Sequence, residues 1–171
     1  MNTKLIINLL FLAFSLNINS KTIPVSIDFS ISTNMPGVEF SGHVGEKMQL
    51  NAEVTGNKIT SLSLSIPAGD LKTGIDMRDS HMREKILKEK PVTFSSVKGC
   101  ELKDNKCLIL GELQIADHKK QVEIEITKAK NKLFFNYDLL LSQHGIEAPK
   151  FMGVEVKDKI EIKGSTNDQA L

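Results

Sequence analysis

The sequence predicts an all-β fold: one closed, up-and-down antiparallel barrel of about eight strands, with a short helix inserted around 76–87. Three observations predict it. Apolar and polar residues alternate with period two over long runs, as in strands with one buried and one wetted face. The runs are about ten residues long against a usual mode of 5–6, and short turn signals join most of them. One stretch, Gly69 to Leu87, breaks the alternation with a crowd of charges.

The first twenty residues stand apart. Lys4, the apolar run Leu5 to Leu16 and the polar exit Asn17-Ile18-Asn19-Ser20 have the layout of a secretory signal peptide. Cleavage is expected after Ser20, although Ile18 is larger than the residue usually preferred three before a cut. The barrel domain is then 21–171, with a periplasmic or secreted location. The first cysteine is Cys100, which argues against a lipid-anchored amino terminus. No later run approaches the roughly 20 apolar residues that a spanning helix needs.

Strands are expected near 23–32, 38–44, 46–54 and 57–66, with turn signals at Pro36-Gly37 and Gly56-Asn57. In the fourth, Leu62, Leu64 and Ile66 share one face, and Ser61, Ser63 and Ser65 the other. Pro67, Gly69 and Gly74 end it. Asp76 is a candidate N-cap for the helix. Met77, Met82 and Ile86 would form its apolar edge, while Arg78, Asp79, Arg83, Glu84 and Lys85 face water or one another. Pro91 stops it. A helix closing one end of the barrel is the simplest account.

Strands resume near 92–99, 106–116, 119–128, 132–142 and 153–163, punctuated at Asp104-Asn105, Asp117-His118 and Lys130-Asn131. Leu113 with Ile115, Val122 with Ile124 and Ile126, and Ile160 with Ile162 mark the apolar faces. In the run from Lys132 to Ser142, Leu133, Phe135, Tyr137, Leu139 and Leu141 share a face, while Phe134 and Leu140 add bulk to the other. The polar end, Ser165 to Leu171, is expected to fray.

The whole chain has 22 basic and 21 acidic side chains, and the leader holds one lysine and no acid, so the mature chain is formally neutral. Without a basic patch, nucleic acid is a poor partner, and so is an electrostatic membrane surface. Cys100 and Cys107 flank a plausible hairpin turn. An even count in an exported chain points to a disulfide, and no histidine stands beside them at metal-ligand spacing. Closing such an eight-residue loop is worth about 2.5 kcal/mol by loop entropy.

His43, His81, His118 and His144 are scattered without paired spacing, so neither metal nor cofactor is expected. There is no Gly-x-Ser-x-Gly elbow and no glycine-rich phosphate loop. Arg78-Asp79-Ser80-His81 is the most enzyme-like group, but a spacing of two puts Asp79 and His81 on different helical faces. Its better reading is structural, tying down a helix end, and no catalytic residue is assigned. Function then falls to the barrel interior, which can be filled or can hold one small ligand. The expected lining is Leu62, Leu64, Phe94, Leu113, Val122, Ile124, Phe135, Tyr137 and Leu139. Its one obvious polar handle is the Tyr137 hydroxyl, which wants a partner if buried. Such a lining suits a greasy, weakly polar guest; equally, the same residues could pack on one another.

Several segments together resemble the YceI-like family: "LKTGIDMRDSHMREKIL" at 71–87 followed by "PVTFSS" at 91–96, "LGELQIADHKKQVEIEI" at 110–126 and "LLLSQHGIEAPKFMGVEVKDKIEI" at 139–162. The specific combination is Thr73-Gly74, Arg78-Asp79-x-His81, Pro91-x-x-Phe94, Gly111-x-Leu113 and Gly145-Ile146. The resemblance implies a lipocalin-like barrel, exported to the periplasm, that encloses a long isoprenoid chain of polyprenyl or quinone type. It also implies a binding module without established catalysis, in which Arg78, Asp79 and His81 are a structural signature. Independently of the resemblance, the position of the insert between two long strands suggests a lid or plug at one end, to which Met77, Met82 and Ile86 would belong. The sequence departs from the family at 140–146, where a run like Arg-x-Asp-Phe-Gly-Ile is replaced by Leu-Leu-Ser-Gln-His-Gly-Ile, and in its paired cysteines and first strand. These departures leave the ligand open. The alternative to a carrier is a structural or interaction module with a side-chain-filled barrel.

Overall fold

The computed structural model describes residues 20–45, 48–151 and 153–167. Of the expected leader only Ser20 falls within them, as the first residue of a strand; residues 46 and 47 of the third expected strand and residues 168–171 of the expected tail lie outside them. The elements are β1 (Ser20–Thr33), β2 (Glu39–Val44), β3 (Gln49–Thr55), β4 (Lys58–Ile66), β5 (Leu71–Lys72), α1 (Asp76–His81), β6 (Val92–Lys98), β7 (Cys100–Glu101), β8 (Lys106–Ile115), β9 (His118–Ala129), β10 (Lys132–Leu140), β11 (Lys150–Phe151) and β12 (Val154–Thr166).

Alternation becomes a barrel through register. Leu50 stands opposite Leu64, Leu64 opposite Phe94, and Phe94 opposite Leu113, so the apolar faces of four strands merge into one surface. The antiparallel path runs β3–β4–β6–β8–β9–β10–β12, and β12 returns to β1 to close the ring. Strands β2 and β3 share one edge of β1, with Phe29 opposite Gly42 and Ile23 opposite Leu50. They serve as one bent strand, and this gives the barrel its eight staves. The inner face of β1 is a run of buried residues at 23, 25, 27, 29, 31 and 33 alternating with more exposed ones.

The two ends differ. At one, strands turn tightly at Gly56-Asn57, Asp104-Asn105 and Lys130-Asn131. Asp104 and Asn105 both take positive φ, 50° and 62°, the backbone that matches a two-residue hairpin to strand twist. Here the Cys100–Cys107 disulfide joins β7 to β8 across Cα atoms 5.8 Å apart. In the half of the barrel nearer these turns Ile59, Ile109, Ile126, Leu133 and Thr166 are fully buried. The other end carries the long connections: 34–38, 67–91 and the crossing from β10 to β12.

Three expectations are corrected here. Ser165 and Thr166 do not fray but complete β12. Thr166 is 1% exposed, because its hydroxyl accepts the Leu133 N–H at 2.9 Å. Asp76 is the first helical residue and not the cap; Ile75 holds the cap position without a side-chain bond. The helix is also not continuous to 87: α1 ends at His81 and widens into a π-type turn over Met82–Ile86.

Candidate functional site in the barrel lumen

Register places all nine expected lining residues on the inner face. Leu62 stands opposite Ala52, and Val122 and Ile124 opposite Gly111 and Ile109. Tyr137 and Leu139 stand opposite Ile162 and Ile160, and Phe135 opposite Ile126. On that face Leu64, Ile124, Phe135, Tyr137, Ile160 and Ile162 are only partly buried, whereas Ile59 and Ile109 are fully buried at 0% exposure, Ile109 although it stands directly opposite Ile124. The inward-facing residues of this belt are therefore less tightly enclosed than Ile59, Ile109 and Ile126.

The sequence keeps aromatic bulk near the wall by a repeated device. A Cβ added to Gly42, Gly111 or Gly164 would fall inside the ring of Phe29, Phe94 or Phe135 respectively. Each ring therefore has its far edge over a glycine of a neighbouring strand, where a side chain would otherwise stand. Phe29, Ile160 and Ile162 were missing from the expected lining. Their signal was present in the alternation of "IDFSI" and "DKIEIKG", but only the pairing of β1 with β12 shows that these strands seal the ring.

The insert lies at the mouth. Its β5 pairs with β2, with Val44 opposite Leu71. The Asp79 carboxylate accepts the Thr73 N–H at 2.8 Å and the Thr73 hydroxyl. Arg78 donates from Nε to the Thr73 hydroxyl at 2.8 Å and from Nη2 to the Thr73 carbonyl at 3.0 Å. Its guanidinium also stands 4.1 Å from the Phe40 ring centroid, a cation–π contact. Burial pushes the Asp79 carboxyl up, but the two Thr73 bonds, with Lys72 and Arg78 nearby, hold it below the usual range. This clasp uses Arg78 and Asp79 of the structural signature. His81 is exposed and takes no part in it.

Of the expected lid residues, Met82 packs against the core and Ile86 is partly buried. Met77 does not: it is 71% exposed, because α1 turns that side to solvent. Leu87 and Ala68 are the buried apolar contacts that sequence patterning missed. Between the insert and the Gly145–Lys150 segment opens a cleft of about 510 Å³. Ile146 and Ala148 line it and also pack on the core, so its floor is continuous with the wall of the barrel.

His144 is the site residue that the sequence did not disclose. Read there as one of four scattered histidines, it is 3% exposed. A single 3₁₀ turn, Ser142–His144, positions it, with Gly145 at φ 65° closing the turn. Asp158 anchors the turn by accepting the Ser142 N–H and hydroxyl, each at 2.7 Å; those bonds hold its carboxyl low. His144 Nε2 lies 3.3 Å from the Tyr137 hydroxyl oxygen, giving the tyrosine its partner. Burial, then Lys120 and His118, push the imidazole below its usual pKa, and burial pushes the Tyr137 phenol up. Both groups are therefore neutral near pH 7. Among the described residues no three His, Cys, Asp or Glu side chains gather as metal ligands.

The eight-staved barrel has a largely apolar inner face, with Lys120 opposite Leu113 and His118 opposite Ile115 toward the mouth, where the clasped insert lies. The sequence matches the YceI-like domain over residues 22–167. The chain belongs to the YceI-like family. Its fold is shared with BcnA of Burkholderia cenocepacia, at 18% identity and a TM-score of 0.66, covering 82% of this chain and 94% of that one. The YceI protein of Campylobacter jejuni gives 16%, 0.60, 78% and 88%. A polyisoprenoid binding domain from Saccharophagus degradans, implicated in plant cell wall breakdown, gives 11%, 0.58, 86% and 97%. No curated protein matches the sequence. Within this YceI-like barrel, Tyr137, His144 and the insert surround the upper lumen.

Proposed function

We propose that this YceI-like protein is an exported carrier that holds a hydrophobic ligand, of polyisoprenoid or isoprenoid-quinone kind, inside its barrel. The observation that carries the reading is the partly buried apolar belt on the inner face, with the far edges of three phenylalanine rings seated over glycines of the wall. The polyisoprenoid binding of the Saccharophagus degradans domain, which shares the fold, supports the ligand class. Removing a chain from water favours binding by about 0.8 kcal/mol per buried CH₂. Ordering a flexible tail and immobilising the guest offset much of that sum. The cleft beside Ile146 and Ala148 would be the way in, with the insert as its lid.

The leader-like residues 1–20 and the Cys100–Cys107 disulfide support export. Amino-terminal sequencing of protein from a periplasmic or secreted fraction is expected to begin at Lys21.

The ligand is tested by organic extraction of natively expressed protein followed by mass spectrometry. A near-stoichiometric isoprenoid lipid is expected. An empty extract would overturn the carrier reading and leave the chain an interaction module.

A further inference from the structure

Resting on the lumen-binding reading above, we propose that the Tyr137 hydroxyl donates a hydrogen bond to a carbonyl-type oxygen on the ligand's head group, and that His144 sets its direction. The guest would then be an isoprenoid carrying a ketone or quinone carbonyl rather than a bare hydrocarbon.

The inference starts from an orphan. His144 is 3% exposed, and its Nδ1 is sealed from solvent with no hydrogen-bond partner. A neutral imidazole carries its proton on one nitrogen only. A proton on Nδ1 would leave a buried donor unpaired, whereas a proton on Nε2 leaves only a lone pair unpaired. Orphaned buried N–H groups are the rarer of the two situations in proteins. The neighbouring Lys120 ammonium, whose Nζ donates to Gln143 at 2.6 Å, repels the imidazole's positive form and favours a lone pair over a second donor. His144 therefore donates from Nε2 to the Tyr137 oxygen, 3.3 Å away.

That choice dictates what Tyr137 can do. With its oxygen already accepting, the hydroxyl proton must turn elsewhere. Tyr137 stands on the inner face between Phe135 and Leu139, opposite Ile162, and is only partly buried. Those neighbours are hydrocarbon and offer no acceptor. A donor directed among these hydrocarbon neighbours is satisfied by a guest with an acceptor oxygen and left unpaired by one without, which gives discrimination between the two.

The test compares geranylgeranylacetone, an isoprenoid ketone, with squalene, which has no oxygen, on delipidated protein. Tyr137→Phe is expected to weaken ketone binding about five- to tenfold, the factor of one neutral hydrogen bond, and leave squalene within about twofold. Infrared spectra of the bound ketone add a readout that mere structural damage does not move. On the wild type the C=O stretch is expected to fall below its frequency in hexane, and on Tyr137→Phe to return to it. His144→Phe is expected to lose part of both effects, and His144→Gln, which keeps an N–H donor, to restore them. An unshifted stretch on the wild type, or equal weakening of both probes by Tyr137→Phe, overturns the assignment while the lumen reading stands. If the wild type binds neither probe, the lumen reading fails and this inference fails with it.

Discussion

The two ends of the barrel are made from the same strands but solve different problems. At the tight-turn end, two-residue hairpins, a disulfide and fully buried side chains leave no freedom. At the mouth, long connections, a short helix held by one aspartate and a belt of partly buried apolar residues leave space. Strand length makes the division possible, since staves of about ten residues have room for both a plug and a pocket. The closed end is therefore expected to supply the larger share of the stability.

Ile109 and Ile124 are cross-strand partners on the inner face of β8 and β9, one fully and one partly buried, and truncating each compares filled with less filled packing at the point where the two halves meet. Ile109→Ala is expected to cost about 2–5 kcal/mol in denaturant unfolding, the range for deleting a fully buried aliphatic side chain. Ile124, which borders the open belt, is expected to cost roughly half as much, because part of its surface is already unpacked. Ligand affinity should respond in the opposite order. Equal stability losses at the two positions would mean that the lumen is as well filled as the plug.

The disulfide sharpens the comparison from the closed end. Replacing Cys100 and Cys107 by serine releases a short loop and is expected to lower stability by about 2.5 kcal/mol. The ligand-binding isotherm should not move, since the bridge lies at the end of the barrel away from the mouth. A change in affinity with unchanged stability would reverse the roles assigned to the two ends.

The strands and their shared inner face were legible in the sequence, whereas the division between the two ends was not. Period-two alternation marks Leu62, Leu64, Val122, Ile124, Phe135 and Tyr137 as one face, because strand geometry forces that pattern whatever the neighbours are. Asp104-Asn105 announced the hairpin that brings the cysteines together. What failed depended on partners distant in sequence. Thr166 looked like a fraying polar residue until Leu133, 33 residues earlier, supplied its bond. His144 carried no local pattern, since its meaning comes from Tyr137 across a turn. Met77 fitted an apolar helical edge, but periodicity cannot say which way a six-residue helix is rolled.

From the mouth, Asp79→Asn is expected to loosen the insert. Bonds to a charged, buried acceptor are worth about 1.5–3 kcal/mol, but here the loss should appear locally, as faster amide exchange and proteolysis across 67–91. The native carboxyl is held below its unfolded value, so the clasp contributes fully above the ordinary aspartate pKa of about 4. The contribution is lost as pH falls through the native value. Wild type should therefore approach the variant's exchange rates only in acid. Rates for 67–91 that match between the two at neutral pH would remove Asp79 from the clasp.

Asp117, in the turn between β8 and β9, should matter least, although its chemistry looks the most perturbed at that end. Lys88 donates to it at 2.8 Å and Lys90 contacts its other oxygen. Those bonds lower its pKa to about 2. All three side chains are exposed, so water and salt screen the pairs and side-chain entropy opposes them. Asp117→Asn is expected to shift the unfolding midpoint less than any substitution above, with the difference vanishing in 1 M salt, where the screening length is about 3 Å. Because its native pKa is depressed, whatever it contributes is present above an unfolded aspartate's pKa and disappears as pH falls toward about 2. A loss as large as that of Asp79→Asn would show that these lysines, and not the Thr73–Asp79 bonds, hold the insert over the mouth.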